Sequence, residues 1–534
     1  MVHLHVHSNY SFLQGTATLD NLISAAKKSN SKSLALTDTN GMYGLIQFTK
    51  KCIEANIKPI LGAEIDDPNY KNQKAILLVK NNLGYSELCK IITSRKLNED
   101  FSLIQILNSY QENLFVVTSS IELLQNIKIN QNVFAELIST KRLRAKARLL
   151  YNYAFKNKIK FVATNPIYFL TKGDFLLHKV VTAIRLNSTV DNLSDDELVD
   201  EEFYWKDLTE LEKIWRSLPE AVQNTEYIAE SCNLDLELGK YKYPIYDKVL
   251  KDSYSLLWNE AYKGLKKKYI PLTQAAIDRL EKELRVIREL NLVDYFLIVW
   301  DIVQEAKKRR MMMIGRGSAA NSIVSYCLEL TQVDPIKYNL YFERFLNKGR
   351  SNPPDVDIDF SWKERDEIVK YVFEKYGYEN VAMISTTVTF RARSAFREVA
   401  KAYGFTNEEI SKYSKYIPWT EAVNLKNISE LFPEAKNINF KIEPWKSIVE
   451  IAAQISHFPR YLSIHPSGII VTPKPVNNFV ALEYAKNKGL GLIITQPDMY
   501  TIEDLGLIKI DLLSQRSLGV LRDTLSSIEE NKKM

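Results

Sequence analysis

Cysteine is scarce and scattered: Cys52, Cys89, Cys232 and Cys327 are the only four in 534 residues, and no Cys-x-x-Cys pair occurs. That excludes a thiolate metal knuckle or a redox dithiol and suits buried free thiols in a reducing compartment. No apolar run approaches the roughly 20 residues that a bilayer-spanning helix requires. The first residues read into an extended segment rather than an apolar leader, so no signal peptide is expected. Together these lead to an expectation of a cytoplasmic protein with no membrane partner. Repeats and low-complexity tracts are missing as well. One-sided charge is small, with 71 basic and 65 acidic residues giving +6, which is compatible with a nucleic-acid partner without demanding one. Basic clusters at Lys263-Gly264-Leu265-Lys266-Lys267-Lys268 and Lys307-Lys308-Arg309-Arg310 read equally well as solvated helix faces. Histidine is rare too, yet three of the six fall within the first seven residues.

What is present is an ordinary globular composition, 46% hydrophobic and 25% charged, long enough for about three to four domains. Residues 1–185 alternate strand and helix patterns. Examples are Ser33–Thr37 before a helix near Gly44–Ala55, and Ala75–Val79 before Gly84–Thr93. That is an α/β arrangement. Residues 186–204 are polar and acidic. Pro219 opens a helix running to about Ser231, at a position where proline is tolerated. Residues 406–490 are helical and punctuated by Pro418, Pro433, Pro444 and Pro459.

Three motifs carry chemistry. In Pro353-Pro354-Asp355-Val356-Asp357-Ile358-Asp359-Phe360, strand alternation puts Asp355, Asp357 and Asp359 on one face and Val356, Ile358 and Phe360 on the other. Aligned carboxylates suit divalent cations; a solvated strand edge is the bland alternative. Upstream, Gly315-Arg316-Gly317-Ser318-Ala319-Ala320-Asn321-Ser322 follows an amphipathic helix (Tyr295–Arg310) and is expected to open a second helix to about Leu330. Its glycines allow close approach to a phosphate and Arg316 offers paired hydrogen bonds; a turn capped by Ser318 is the alternative. Late in the chain, Gly506-Leu507-Ile508-Lys509-Ile510-Asp511-Leu512-Leu513 places Lys509 and Asp511 on one strand face, as a surface pair or as a phosphate-binding lysine beside a further metal ligand.

In this order, with Phe342-Glu343-Arg344-Phe345-Leu346 and Thr495-Gln496 between them, these motifs resemble the C-family of bacterial replicative DNA polymerases, the alpha subunits of DNA polymerase III. Asn321 and Phe458-Pro459-Arg460-Tyr461-Leu462-Ser463 look closer to the error-prone branch. The resemblance implies an α/β and α+β multidomain chain. Its parts would be a PHP domain (a distorted β/α barrel) over 1–185, a helical connection over 186–254, the first part of a polymerase-beta-like nucleotidyltransferase palm over 255–405, a helical thumb over 406–490, and the last palm strand with the start of the fingers over 491–534. It implies catalytic, Mg2+-binding roles for Asp355, Asp357 and Asp511, with two ions at the palm. Asp359 would support the site. Nucleotide phosphates would fall to Arg316, Gly317, Ser318 and Lys509, and to one of Arg391, Arg393 and Arg397, with Arg393 the choice. His465 reads as structural. The usual glycine is Ser467, the lysine usual after Asp498 is Met499, and Leu513-Ser514-Gln515 replaces Leu-Gly-Leu.

His3, His5 and His7 alternate, which puts all three on one strand face in a metal-ligand spacing. The run His3-Leu4-His5-Val6-His7-Ser8-Asn9-Tyr10-Ser11 resembles the start of the PHP domain. By that resemblance His5, His7, Asp38 and Glu64 are retained metal ligands. Five further positions depart from the pattern, at Thr39, Lys74, Ser139, Pro166 and Tyr168. A hydrolytic cluster needs enough ligands to hold its ions, so this one is expected to be weak or empty and the domain structural rather than proofreading.

Twenty-three residues follow Asp511, where members of the family continue through fingers and further domains. The expected function is template-directed transfer of deoxynucleotides to a primer 3′-OH. The alternatives are a DNA-binding remnant or half-enzyme lacking fingers, and a PHP phosphoesterase or exonuclease. Expected partners are primer–template DNA, deoxynucleoside triphosphates, and other replisome subunits or a separate carboxyl-terminal polymerase chain.

Overall fold

In the computed structural model, residues 1–247, 249, 252–347, 349, 354, 356–485 and 491–533 are described. Asp355 therefore lies outside the described residues. The chain forms two compact units: Met1–Leu236 with Thr386–Ser463 and Val480–Asn487, and Glu237–Ser385 with Ile464–Phe479 and Lys488–Met534.

The first unit is built on six strands, β1 (Ser33–Leu36), β2 (Lys58–Asp66), β3 (Lys74–Val79), β4 (Leu114–Thr118), β5 (Val133–Ile138) and β6 (Lys160–Thr164), in sheet order β1-β2-β3-β4-β5-β6. The pairs β2/β3 and β3/β4 are antiparallel and the others parallel. Alternate residues serve two cores, as expected of strands covered on both faces. Leu34, Leu36, Leu77, Val79 and Val116 face one. Ala35, Ile76, Leu78 and Val117 face the other, with Ile228, Ala229 and Cys232 from the Pro219–Ser231 helix and its end.

The amino-terminal segment ties the two edges of this sheet together. His3 and Val6 carbonyls accept from Ala35 and Thr37 beside β1, while His7 N–H and His5 C=O bond to Ile167, just past β6. Closure of the sheet on itself thus runs through the histidine segment, which makes only an isolated bridge (Val6 to Ile167) rather than a full strand. A separate helical core in this unit joins Leu177, Val180 and Val181 to Phe396, Val399, Ile448 and Ile451. The Ala392–Ala402 helix therefore packs with the later helices. It belongs to the first unit, which takes up the chain again at Thr386, and its apolar stripe is buried among those partners.

In the second unit, β7 (Met313–Arg316), β8 (Asp357–Ser361) and β9 (Val381–Thr389) precede β10 (Pro459–Val471), and β11 (Leu482–Tyr484) lies in the first unit. β12 (Ile493–Asp498) and β13 (Lys509–Gln515) follow, and the order is β12-β9-β10-β13-β8-β7. β9 and β10 begin or end in the first unit, since the cuts fall within them. Val356, Ile358 and Phe360 are buried, as are Ile508, Ile510 and Leu512, so each strand packs its apolar set inward as the period-two pattern demands. The expected helix from the glycine turn to Leu330 does not form. A 3-10 turn over Gly317–Asn321 leads into a short helix, Ile323–Cys327, capped by Ser322 rather than Ser318.

Candidate functional site

β13 and β8 lie side by side and parallel, with Asp511 directly opposite Asp357 and Leu513 opposite Asp359. β7 runs antiparallel on the other edge of β8 and sets Arg316 opposite Asp357. Two acids distant in sequence thus meet because the strands carrying them share a register. Just beyond Arg316 the chain turns at Gly317, with φ +75°, where a Cβ would come within 3.3 Å of Asp357 Oδ2. Only glycine accepts both that backbone angle and that approach without strain. Gly315 is tighter still, with the Leu330 carbonyl 1.6 Å from where its Cβ would be.

The carboxylates are matched by cations of the same chain. Arg316 Nε lies 3.2 Å from Asp359 Oδ1 and 4.0 Å from Asp357 Oδ2. Lys509 Nζ meets Asp511 Oδ2 at 2.7 Å. The Ser467 hydroxyl donates to Asp511 Oδ1 at 2.7 Å, and Gln515 Nε2 donates to Asp359 Oδ2 at 3.3 Å. Burial works against the charged form of Asp511, but the hydrogen bonds from Lys509 and Ser467 outweigh it and hold the carboxyl below its ordinary range. An all-carboxylate donor set suits hard cations such as Mg2+ or Mn2+. Asp359 Oδ1, buried and without a hydrogen bond, keeps acceptor capacity.

The turn before β8 is braced from beneath. Glu283, fully buried, accepts from Ser322 Oγ at 2.7 Å and from Val324 N–H at 3.2 Å. Arg279 pairs with Glu283 at 3.1 Å and donates to the Asn321 and Leu340 carbonyls. Within the loop the Ser318 carbonyl accepts from Asn321 Nδ2 and the Ala319 carbonyl from Ser322 N–H. Neither Ser467 nor the Arg279–Glu283 brace was singled out as a site residue by the sequence. The signal for Ser467 was its departure from the family's glycine. For the brace it was an arginine and a glutamate one helical turn apart, a pattern common on any helix.

The three arginines after Phe390 lie in the first unit. Arg393 donates from Nε and Nη2 to the Ile417 carbonyl, at 3.1 and 2.6 Å, and Arg397 donates to Ser414 Oγ. Arg391 keeps its guanidinium at the surface over Trp419. His465 Nδ1 accepts from Gly468 N–H at 2.9 Å, a structural role, and burial lowers its pKa.

The histidine cluster of the first unit is only partly assembled. His5, His7 and Glu64 bring ligand atoms within 4.8 Å of one another, the one such group of three among the described residues. Asp38 is turned away and accepts from Ser8 N–H, Ser8 Oγ and Ser11 Oγ. Burial pushes its carboxyl up to about 6 against those bonds. His3 packs on the Trp205 ring instead, and burial lowers its pKa to about 4. Lys74 sets its ammonium 2.9 Å from Glu64 Oε2. His5 Nδ1 lies 2.7 Å from Glu136 Oε1, which also accepts from Thr164. Burial disfavours the charged form of His5, but Glu136 and Glu64 prevail and its pKa rises to about 9. Burial opposes the Glu64 charge too, yet Lys74 and His5 hold its pKa far below the usual range. Burial keeps His7 neutral, and Tyr168 stacks on its ring at 4.0 Å. His5 and Lys74 thereby supply the positive charge that faces Glu64 and Glu136. This donor set does not fit a multi-ion hydrolytic centre, because a tethered ammonium already sits against Glu64 and Glu136 is taken by His5.

Comparison with known proteins matches two regions of the chain. Residues 255–514 match the family model described as the bacterial DNA polymerase III alpha NTPase domain, and residues 3–158 match the PHP domain. The chain is 33% identical to DNA polymerase III subunit alpha of Bacillus subtilis, over 99% of this chain and 50% of that protein. It is 32% identical to an error-prone DNA polymerase of Symbiobacterium thermophilum, over 99% of this chain and 52% of that one. A third relative, DNA polymerase III subunit alpha of Halalkalibacterium halodurans, is 33% identical over 99% of this chain and 49% of its own. The chain spans about half the length of the curated relatives it matches. Over almost its whole length it is similar to bacterial DNA polymerase III alpha subunits.

Proposed function

We propose that the second unit is the nucleotidyl-transfer site of a template-directed DNA polymerase, adding deoxynucleotides to a primer 3′-OH. The observation that carries this reading is the register of Asp511 against Asp357, with Gly317 pressed onto Asp357. Asp357 and Asp511, with Asp355, would hold two Mg2+ ions; Asp359 supports them. When bound, such ions lower the pKa of the attacking hydroxyl and stabilise charge on the leaving pyrophosphate. The residues of the chain do the rest. The turn at Gly317 and Ser318 offers backbone approach to the triphosphate. Arg316 and Lys509, which pair with the carboxylates here, turn to the phosphates when the acids are otherwise neutralised. Primer–template DNA and deoxynucleoside triphosphates are the substrates, and the remaining half of a family member, on this or another chain, is the partner.

The first unit is proposed as structural. The Lys74–Glu64 pair and the withdrawal of Asp38 support that reading over a phosphoesterase. The deciding experiment is primer extension by the purified chain with Mg2+ and a primed template, beside Asp357→Asn. Extension by the wild type that the variant loses supports the assignment. Equal extension by both refutes it, and duplex binding without any extension identifies a DNA-binding half-enzyme.

A further inference from the structure

Both oxygens of Asp511 are engaged, but by groups of different character. Lys509 meets Oδ2 from the end of a long, rotatable chain. Ser467 meets Oδ1 from a short side chain on β10, one residue from Gly468, which stands opposite Asp511 in the antiparallel pair. Ser467 and Asp511 are 4% and 5% exposed, so water does not readily exchange for that hydroxyl. The Ser467 hydroxyl proton has its shortest contact at Asp511, because His465 Nδ1 lies 3.4 Å from Ser467 Oγ and is taken by Gly468 N–H at 2.9 Å. Ser467 also stands where the family pattern has glycine, a residue with no side-chain donor at all.

We infer that Ser467 is a positioning residue for a divalent cation at Asp511: it pins Oδ1, so that Oδ2 is the oxygen that exchanges Lys509 for the cation. The inference rests on the metal-site reading above. A carboxylate free to rotate loses that freedom when it takes a metal; one already fixed by a buried hydroxyl does not. Gln515 acts in the same sense on Asp359, through a longer bond at 3.3 Å.

The test is titration of the metal-free full chain with Mn2+, read by water-proton relaxation. Asp357→Asn defines the share of binding that belongs to the acidic strands rather than to the histidine cluster. Ser467→Ala is expected to weaken that share about tenfold, the lower end of what outer partners of metal ligands contribute. Ser467→Thr, which keeps the hydroxyl, stays near the wild type in both Mn2+ affinity and metal-free unfolding midpoint. Equal Mn2+ affinity in the wild type and Ser467→Ala overturns the inference. So does a drop in affinity matched by a lowered midpoint that threonine does not restore, which marks a structural role only. If Asp357→Asn loses no Mn2+ binding, the metal-site reading itself fails and takes this inference with it, and that failure is visible before Ser467 is touched.

Discussion

Gly317 and Asp357 are in near contact: the glycine turns at φ +75° and a Cβ there would lie 3.3 Å from Asp357 Oδ2. Alanine at 317 meets two penalties at once. The left-handed backbone costs roughly 1–2 kcal/mol, and the new methyl presses on a carboxylate of the proposed site. Gly317→Ala is expected to lower stability by about that amount, and to cut primer extension by about a hundredfold, the scale of a 1 Å misplacement. Urea denaturation and single-turnover extension measure the two effects separately. Loss of stability with unchanged extension would remove Gly317 from the site.

Lys74 sets its ammonium against Glu64, 2.9 Å from Oε2. Removing one partner of a fully buried pair costs about 3–5 kcal/mol, but the Lys74 side chain is 44% exposed, and solvent screening reduces the figure. Lys74→Met is expected to destabilise the chain by about 1–2 kcal/mol, read by chemical denaturation. No metal-dependent exonuclease is expected from the wild type. A hydrolytic activity that His7→Ala abolishes would contradict the structural role given to this unit.

His178 is a pH sensor of stability in the first unit. Its Nδ1–H donates to the Gln14 carbonyl and its Nε2 accepts from Val199 N–H, so both nitrogens are committed to the neutral ring. Burial lowers its pKa from 6.5 to about 4. A histidine depressed in the fold binds fewer protons folded than unfolded, so its contribution is whole above the unfolded pKa. The contribution is lost progressively as pH falls from about 6.5 to about 4. The loss amounts to about 3 kcal/mol across that window. In His178→Gln, denaturation between pH 7 and 4 is expected to show a shallower decline than in the wild type. Parallel curves would contradict the assignment.

Glu283 ties the helix Gln274–Glu289 to the segment after the glycine turn, through Ser322 and Val324. Glu283→Ala leaves the Ser322 hydroxyl and the Val324 N–H without their buried acceptor and removes one of the three partners of Arg279, a change worth about 2–4 kcal/mol. Calorimetry is expected to show the largest fall in midpoint of these variants. A near-neutral result would mean that the brace is dispensable.

Much of the local structure was legible in the sequence. The buried sets Val356, Ile358, Phe360 and Ile508, Ile510, Leu512 follow from a two-residue period, which is a property of the strand alone. The Pro219 helix start and the helix ending near Arg310 were likewise readable, since caps and stripes act within a few residues. The glycine turn does not open the long helix expected of it: Gly315 is pressed against the Leu330 carbonyl, and the chain turns sharply to make that contact. What covers the Ala392–Ala402 helix was not legible: its stripe names an apolar face but not its partners.

The sequence by itself determined which residues each strand presents together, where the glycines and acids fall, and, through the order of the motifs, the resemblance to the polymerase family. Local periodicity and local chemistry need no partner. Only the tertiary structure decided which acid faces which. Asp511 meets Asp357 through a strand register set by two apolar faces packing at once. The same long-range packing put Ser467 on Asp511 and Arg393 on Ile417. Those pairings join residues far apart in the chain, and no local pattern encodes the distance between them.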